Sequence, residues 1–167
     1  MPVIVNSESV VRHARFLSEC AVELGVPVIG TTQNAVKLGG FVDELGNEQP
    51  TYDKMSFSCM GSGEFAAALS ATGRRHVIVA GVETHICVMQ TCLDLLDKGF
   101  QVTCVLDAIS SRTEALHKAG VKRLRDSGVS LSLCDSVVYE WMRTASHPAF
   151  RTILKKVISL DSVEIKK

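Results

Sequence analysis

Six cysteines, at positions 20, 59, 87, 92, 104 and 134, are the strongest nucleophiles in the chain, and one of them falls where a helix should begin. Within Arg74–Asp97 (RRHVIVAGVETHICVMQTCLDLLD), the run His76–Ala80 is too short for a lone helix. It is rich in β-branched residues, which suits a buried strand ended by Gly81. From Thr84 onward Ile86, Met89, Leu93 and Leu96 recur at helical spacing, with Thr84 as the N-cap. Cys87 then lies in the first turn of that helix, where unpaired N–H groups and the helix dipole favour thiolate over thiol. It also sits beyond the carboxyl end of a strand, where α/β sheets place their sites. The competing reading is a small buried hydrophobe, since cysteine is among the most buried residue types.

Other chemistry-bearing residues are weaker candidates. Asp107 closes the apolar run Val102–Leu106, but an aspartate before a helix usually caps local backbone. His85 is two residues from Cys87, and residues two apart on a helix do not face each other, so it reads as an exposed turn histidine. His13, His76, His117 and His147 form no metal-ligand spacing, and no C-x-x-C pair occurs, so no metal is expected. Lys54, isolated in the extended stretch Thr51–Met60, reads by itself as a surface lysine.

The elements that must position these residues alternate in type. Met1–Val5 is apolar and β-prone. Val10, Ala14, Leu17, Ala21 and Leu24 run down one helix face ending at Gly25. Val26–Thr32 (VPVIGTT) follows as a buried strand, which makes helix and strand the return half of a parallel crossover. The segment 33–50 is loop-rich, with a short helix around Phe41–Leu45. A helix from Phe65 stops at Gly73, and the strand–turn–helix unit of Cys87 follows. Strand Val102–Leu106 leads to a helix started by Ser110 or Ser111, the latter in a capping box with Glu114. Strand Val129–Leu133 and helices Ser136–Thr144 and Pro148–Ile158 complete the chain. This order predicts a single α/β domain over 1–167, a doubly wound, mainly parallel sheet with helices on both faces.

Composition narrows the partners. The chain has 18 basic and 18 acidic residues, 46% hydrophobic and 22% charged, a globular balance without the basic footprint of a nucleic-acid binder. The basic cluster Lys118/Lys122/Arg123/Arg125 reads as a solvated helix face. Scattered cysteines on apolar faces point to reduced thiols in an intracellular, cytoplasmic protein. No signal peptide, membrane-length apolar run or lipidation box is present in the 167 residues, so no membrane partner is expected.

The order of the VPVIGT strand, a loop with an isolated lysine, and HVIVAGVETHICVMQTCLDLLDKGFQVTCVLDAISSR resembles the isochorismatase-like cysteine hydrolase superfamily. It is most similar to the isochorismatase-domain-containing proteins of uncertain substrate, from about Val10 onward. The most specific portion is Gly81–Cys87 with the VLDAISS strand end. The resemblance implies a Rossmann-like three-layer fold and a metal- and cofactor-independent hydrolase in which Cys87 is the nucleophile. It implies that Lys54, in DKMSFS, supports the thiolate, as an ammonium beside a thiol would. It further implies a non-proline cis peptide at Val82–Glu83 that turns backbone N–H groups, that of Cys87 included, toward an oxyanion. The substrate would be a small amide, ester or ether-type molecule, and the protein a homo-oligomer.

One part of the pattern is missing. The superfamily's catalytic aspartate ends a first strand preceding the first long helix, and upstream of Val10 this chain offers only MPVIVNSES. The strands Val26–Thr31 and His76–Ala80 would each lose a neighbour. Three explanations stand: a sequence shortened at its N-terminus, which is preferred; Met1–Val5 in place of the strand; or a strand supplied by a partner chain. The region Thr31–Asn34 lacks the acid-x-His ligands of nicotinamidases, which sets that metal-dependent branch aside. The alternative to hydrolysis is a non-catalytic small-molecule-binding or oligomeric interaction module.

Overall fold

In a computed structural model the protein is described over residues 3–46 and 49–164, with side chains as far as residue 160. Seven α-helices and five strands alternate: α1 (Ser7–Glu23), β1 (Gly30–Gln33), α2 (Ala35–Leu38), β2 (Thr51–Lys54), α3 (Gly63–Ala71), β3 (His76–Val82), α4 (Met89–Asp97), β4 (Gln101–Ser110), α5 (Glu114–Asp126), β5 (Ser130–Ser132), α6 (Cys134–Met142) and α7 (Phe150–Glu164). Every ladder is parallel. This is the expected α/β class.

Period-two alternation in β3 and β4 explains why helices cover both faces. Ile78 and Ala80 join Val105 and Ala108 against Phe16, Leu17 and Cys20 of α1 and the apolar faces of α6 and α7. Val77 and Val79 join Val102, Cys104 and Ile109 against Phe65 and Leu69 of α3, Leu95 of α4 and Leu124 of α5. Leu95, Leu124, Ile153 and Val105 are fully buried, so truncating any of these side chains to alanine would cost about 2–5 kcal/mol.

Where the sequence suggests one sheet, the described residues form two: among them β1 pairs with β2 alone, and β3–β4–β5 form the other. Among the described residues no strand joins the facing edges of β1 and β3. Two sequence expectations change accordingly. Of the Val26–Thr32 segment only Gly30–Thr32 enters a ladder, and among the described residues none pairs with 26–29. The apolar strand β3 is half-exposed along its length where β4 is mostly buried.

Residues 3–6 form a turn rather than a strand. The Val5 N–H donates to Ser111 O (3.0 Å) and Ser110 Oγ donates to Val5 O (2.7 Å), which ties the segment to the end of β4. Met1 and Pro2 lie outside the described residues. The β3–β4 register shifts after Val79↔Cys104 to Gly81↔Ile109, so Asp107 lies within an irregular stretch of β4 and not at its end. Gly81 takes φ +118 there, a conformation L side chains rarely adopt.

Candidate active site

Beyond β3 the chain makes one wide turn, Thr84–Val88, before α4 begins. Its closure is of the i→i+5 type: the Val88 N–H donates to Glu83 O at 3.2 Å, and the Ile86 N–H donates to the same oxygen at 3.1 Å. Such turns recur at functional sites. The Val82–Glu83 peptide bond is cis, and the Glu83 backbone favours the charged form of the Cys87 thiol. The Glu83 carboxylate accepts from the Arg112 N–H (2.9 Å) and faces Arg112 Nε at 3.4 Å, fastening the turn to the β4–α5 loop.

Lys54 ends β2 and is buried, only 6% exposed, so the surface-lysine reading does not hold. Its ammonium donates to Gln33 Oε1 (2.7 Å), Ser56 O (3.0 Å) and Phe57 O (2.9 Å). The β1–β2 register sets Gln33 directly beside Lys54. The following loop then wraps the ammonium, with Ser56 Oγ donating to Ser58 O (2.8 Å) and Ser58 Oγ accepting from the Met60 N–H (3.2 Å). All three acceptors are neutral. Asp53, next in sequence, is turned away to Thr32 Oγ1 and the Ala35 N–H.

Cys87 and Lys54, 33 positions apart in the chain, are close enough to interact electrostatically. Burial pushes the Cys87 thiol up, against the lowering pull of the Lys54 ammonium and of the Glu83 backbone, and burial wins. This reverses the helix-start expectation: the wide turn half-buries Cys87, and desolvation penalises the charged form more than these two groups favour it. Among the described residues no carboxylate hydrogen-bonds the sulfur. The turn therefore holds a thiol whose ionisation burial opposes, within electrostatic reach of the Lys54 ammonium.

Other candidates resolve into supporting roles. Asp107 caps a remote helix, not local backbone, both its oxygens accepting from the Cys134 N–H at 3.1 Å where α6 begins. Its Oδ2 also lies 3.9 Å from His13 Nε2. His85 is half-buried, its Nδ1 within 3.0 Å of Ser111 Oγ, which corrects the exposed-histidine reading. Thr84 makes no N-cap bond and instead meets His117 Nδ1 at 3.0 Å. Ser111 is likewise no cap, since Thr113 starts α5 by accepting from the Leu116 N–H. Lys118, Lys122, Arg123 and Arg125 are exposed, as expected. A cleft of about 370 Å³ lies against β4 between α1 and α5, lined by His13, Asp107 and His117 among others, and takes in neither Cys87 nor Lys54.

Sequence reasoning missed three contributors to the site. Gln33 was legible only by setting the ends of the two strands β1 and β2 side by side. Thr91, one turn beyond Cys87, accepts the Cys59 N–H at 3.0 Å and docks the Lys54 loop on α4. Gly120 of α5 is buried against the Thr84–Val88 turn, where a Cβ would meet His85 Cα, His85 N and Thr84 Cγ2 at 3.0 Å each.

The fold is α/β with parallel ladders, and it brings the Cys87 thiol and the Lys54 ammonium within electrostatic reach of each other. The isochorismatase domain matches residues 3–135, and the chain belongs to that family. It is 35% identical over 156 residues to the secreted isochorismatase effector Isc1 of Phytophthora sojae, across 89% of this chain and 74% of that protein. Among solved structures, the MAR1 ribonuclease from Caenorhabditis elegans superposes with a TM-score of 0.87 at 30% identity, covering 93% of this chain and 81% of the other. The YcaC gene product of Escherichia coli, described as an octameric hydrolase of unknown specificity, gives 0.80 at 25% identity over 92% and 75% of the two chains.

Proposed function

We propose that the protein is a cysteine hydrolase acting on a small amide, ester or ether-type substrate. The observation that carries this reading is the meeting of Cys87 and the buried Lys54 beside the Val82–Cys87 turn. Cys87 Sγ forms a bond to the electrophilic carbon, and for an acyl substrate the carbonyl electrons move onto oxygen. Backbone N–H groups of the turn bind that oxyanion, and Val82 and Glu83 act through their backbone. Collapse expels the leaving group and leaves a thioester, which water hydrolyses. Lys54 stabilises the thiolate and the developing negative charge. Burial disfavours the thiolate, so a base must take the thiol proton as attack begins. No metal or cofactor enters this scheme.

Equal numbers of acidic and basic residues favour a small substrate over RNA, the substrate class implied for the C. elegans neighbour by its description. The octameric E. coli neighbour supports a homo-oligomer. Six free thiols support an intracellular setting, with the secreted Phytophthora relative as the contrary example. Among the described residues no helix is long and apolar enough to cross a membrane. One observation favours a non-catalytic binding module: among the described residues no carboxylate hydrogen-bonds the Cys87 sulfur.

The test is a panel of small esters, amides and vinyl ethers, with an RNA oligonucleotide alongside, assayed with the wild-type protein and Cys87→Ala. Turnover of a small substrate that disappears in the variant is the expected result. Turnover that survives Cys87→Ala, or cleavage of the RNA alone, overturns the reading. Saturable binding without turnover selects the binding module.

A further inference from the structure

Residues 83, 84 and 85, which lead the chain from β3 into the turn that carries Cys87, are each fastened by a side chain to the segment Ser111–His117. Glu83 accepts from the Arg112 N–H, His85 Nδ1 lies 3.0 Å from Ser111 Oγ, and Thr84 Oγ1 lies 3.0 Å from His117 Nδ1. The Thr84 tie is the deepest of the three, because Thr84 is fully buried and α5 seats it at two points. Its methyl group packs over Gly120, where a Cβ would come within 3.0 Å of Thr84 Cγ2. Its hydroxyl meets His117, one turn earlier on the same helix face. The Thr84 carbonyl in turn accepts from the Met89 N–H, so the residue that α5 holds also closes the far end of the turn.

A buried hydroxyl needs a partner, and a neutral imidazole offers one ring nitrogen as acceptor and the other as donor. With the Thr84 O–H donating to Nδ1 and the ring hydrogen at Nε2, hydroxyl and ring are both satisfied. Protonation makes Nδ1 a donor as well, and the Thr84 hydrogen must then turn away from the ring. Burial holds the His117 imidazole below its ordinary value, with Glu114 pulling it up and Lys118 pushing it down. The other titratable groups that face it are His13 of α1 and Asp107 of β4, across the shared cleft. In the turn, Glu83 and His85 are engaged with Arg112 and Ser111. The charges that act on it come from its own helix, and α4 and β5 add none to them. The ring is therefore neutral at pH 7, and the tie to Thr84 is lost only as pH falls through a value below the ordinary histidine pKa of about 6.5.

We infer that His117 is a positioning residue for the reaction at Cys87: it holds the Thr84 side chain, and with it the backbone N–H groups of the Thr84–Val88 turn, where the substrate oxyanion forms. This rests on the reading of Cys87 as the nucleophile. His117 touches neither the sulfur nor the substrate. It acts through Thr84, and Gly120 supplies the close approach that lets one side chain reach both helix positions.

The experiment compares two reactions of the Cys87 thiol on the full chain, from about pH 5 to 8, each mapped to its peptide by mass spectrometry. Acylation by a small activated ester develops an oxyanion and alkylation by iodoacetamide does not. Their ratio therefore cancels the thiolate fraction and reads the placement of the turn. The expected ratio is level at neutral pH and falls about fivefold or more in acid, the worth of one hydrogen bond. His117→Asn places an amide oxygen near the Nδ1 position and cannot titrate there, so it keeps the neutral-pH ratio and abolishes the fall. His117→Leu and Thr84→Val each lower the ratio at every pH, and together they lower it no further than either alone. A wild-type ratio that is flat overturns the inference, and that measurement needs no variant to fold. A fall that persists in His117→Asn, a fall abolished by His85→Asn instead, or additive losses in the double variant also overturns it. If the ester acylates Cys87 at no pH, the hydrolase reading and this inference fall together; acylation with a flat ratio removes the inference alone.

Discussion

Gly120→Ala is a perturbation whose sign can be worked from the structure. The added methyl would sit 3.0 Å from His85 Cα, His85 N and Thr84 Cγ2, against the 3.5–4.0 Å at which such contacts are favourable, roughly speaking. Two of the three atoms are backbone and cannot rotate aside. Overpacking of this kind costs about 1–3 kcal/mol. Alanine's better helix propensity in α5 offsets about 1 kcal/mol of that. The net effect is a destabilisation of up to about 2 kcal/mol, and at about 2–4 °C per kcal/mol for a chain of this size the melting temperature falls by up to roughly 8 °C. Relief requires the Thr84–Cys87 turn to move, so Cys87 shifts relative to Lys54 and its reactivity changes with the melting temperature. Thermal unfolding and the rate of Cys87 acylation are measured on the same preparations. A melting temperature that rises by a few degrees, as helix propensity alone would give, with Cys87 reactivity unchanged would refute the claim that α5 positions the turn.

Lys54→Met removes the cation that pulls the Cys87 pKa down, so the midpoint of Cys87 alkylation moves to higher pH; an unchanged or lower midpoint would separate the two residues. Asp107→Ala leaves the first N–H of α6 without its acceptor and costs about 1–2 kcal/mol by thermal unfolding, with Asp107→Asn milder. Neither changes which cysteine is acylated, and a loss of acylation in the well-folded Asn variant would make Asp107 catalytic. Lys156 and Arg15 hold the Glu19 carboxyl below its ordinary value and join α7 to α1. A depressed folded pKa means that this stabilisation is complete above about pH 4.3, the usual glutamate value, and is lost as pH falls through the lower folded value. Glu19→Gln therefore lowers stability at neutral pH by less than about 1 kcal/mol and narrows the gap to wild type in acid. Equal sensitivity of both proteins to acid would count against the pair.

The sequence was most informative where physics is local. Apolar periodicity placed the strand before Cys87, the helix after it and the glycine at the end of α1, and the alternation of elements gave the parallel α/β class. Features that depend on a neighbour distant in sequence were not legible. Lys54 looks like any lysine until β1 and β2 align and its ammonium donates to Gln33 Oε1. Asp107 looks like a local cap until the register shift in β4 turns it toward α6. The thiol of Cys87 was expected to be lowered by its helix start, and burial, which only packing can supply, reversed the direction. Gly120 carries no sequence signal, because a glycine inside a helix is ambiguous until the surface facing it is known.

The central claim is that Cys87 is the one thiol equipped to form a covalent intermediate. Cys20, Cys92, Cys104 and Cys134 are fully buried, and burial pushes the Cys20 thiol up to about 12. The direct measurement is acid-quenched peptide mapping after brief exposure of the native protein to a small activated ester. A single acyl group on Cys87, lost on standing in water and absent from Cys87→Ala, is the result this account requires. Acylation at Cys59 or scattered over surface lysines, with Cys87 untouched, would contradict it.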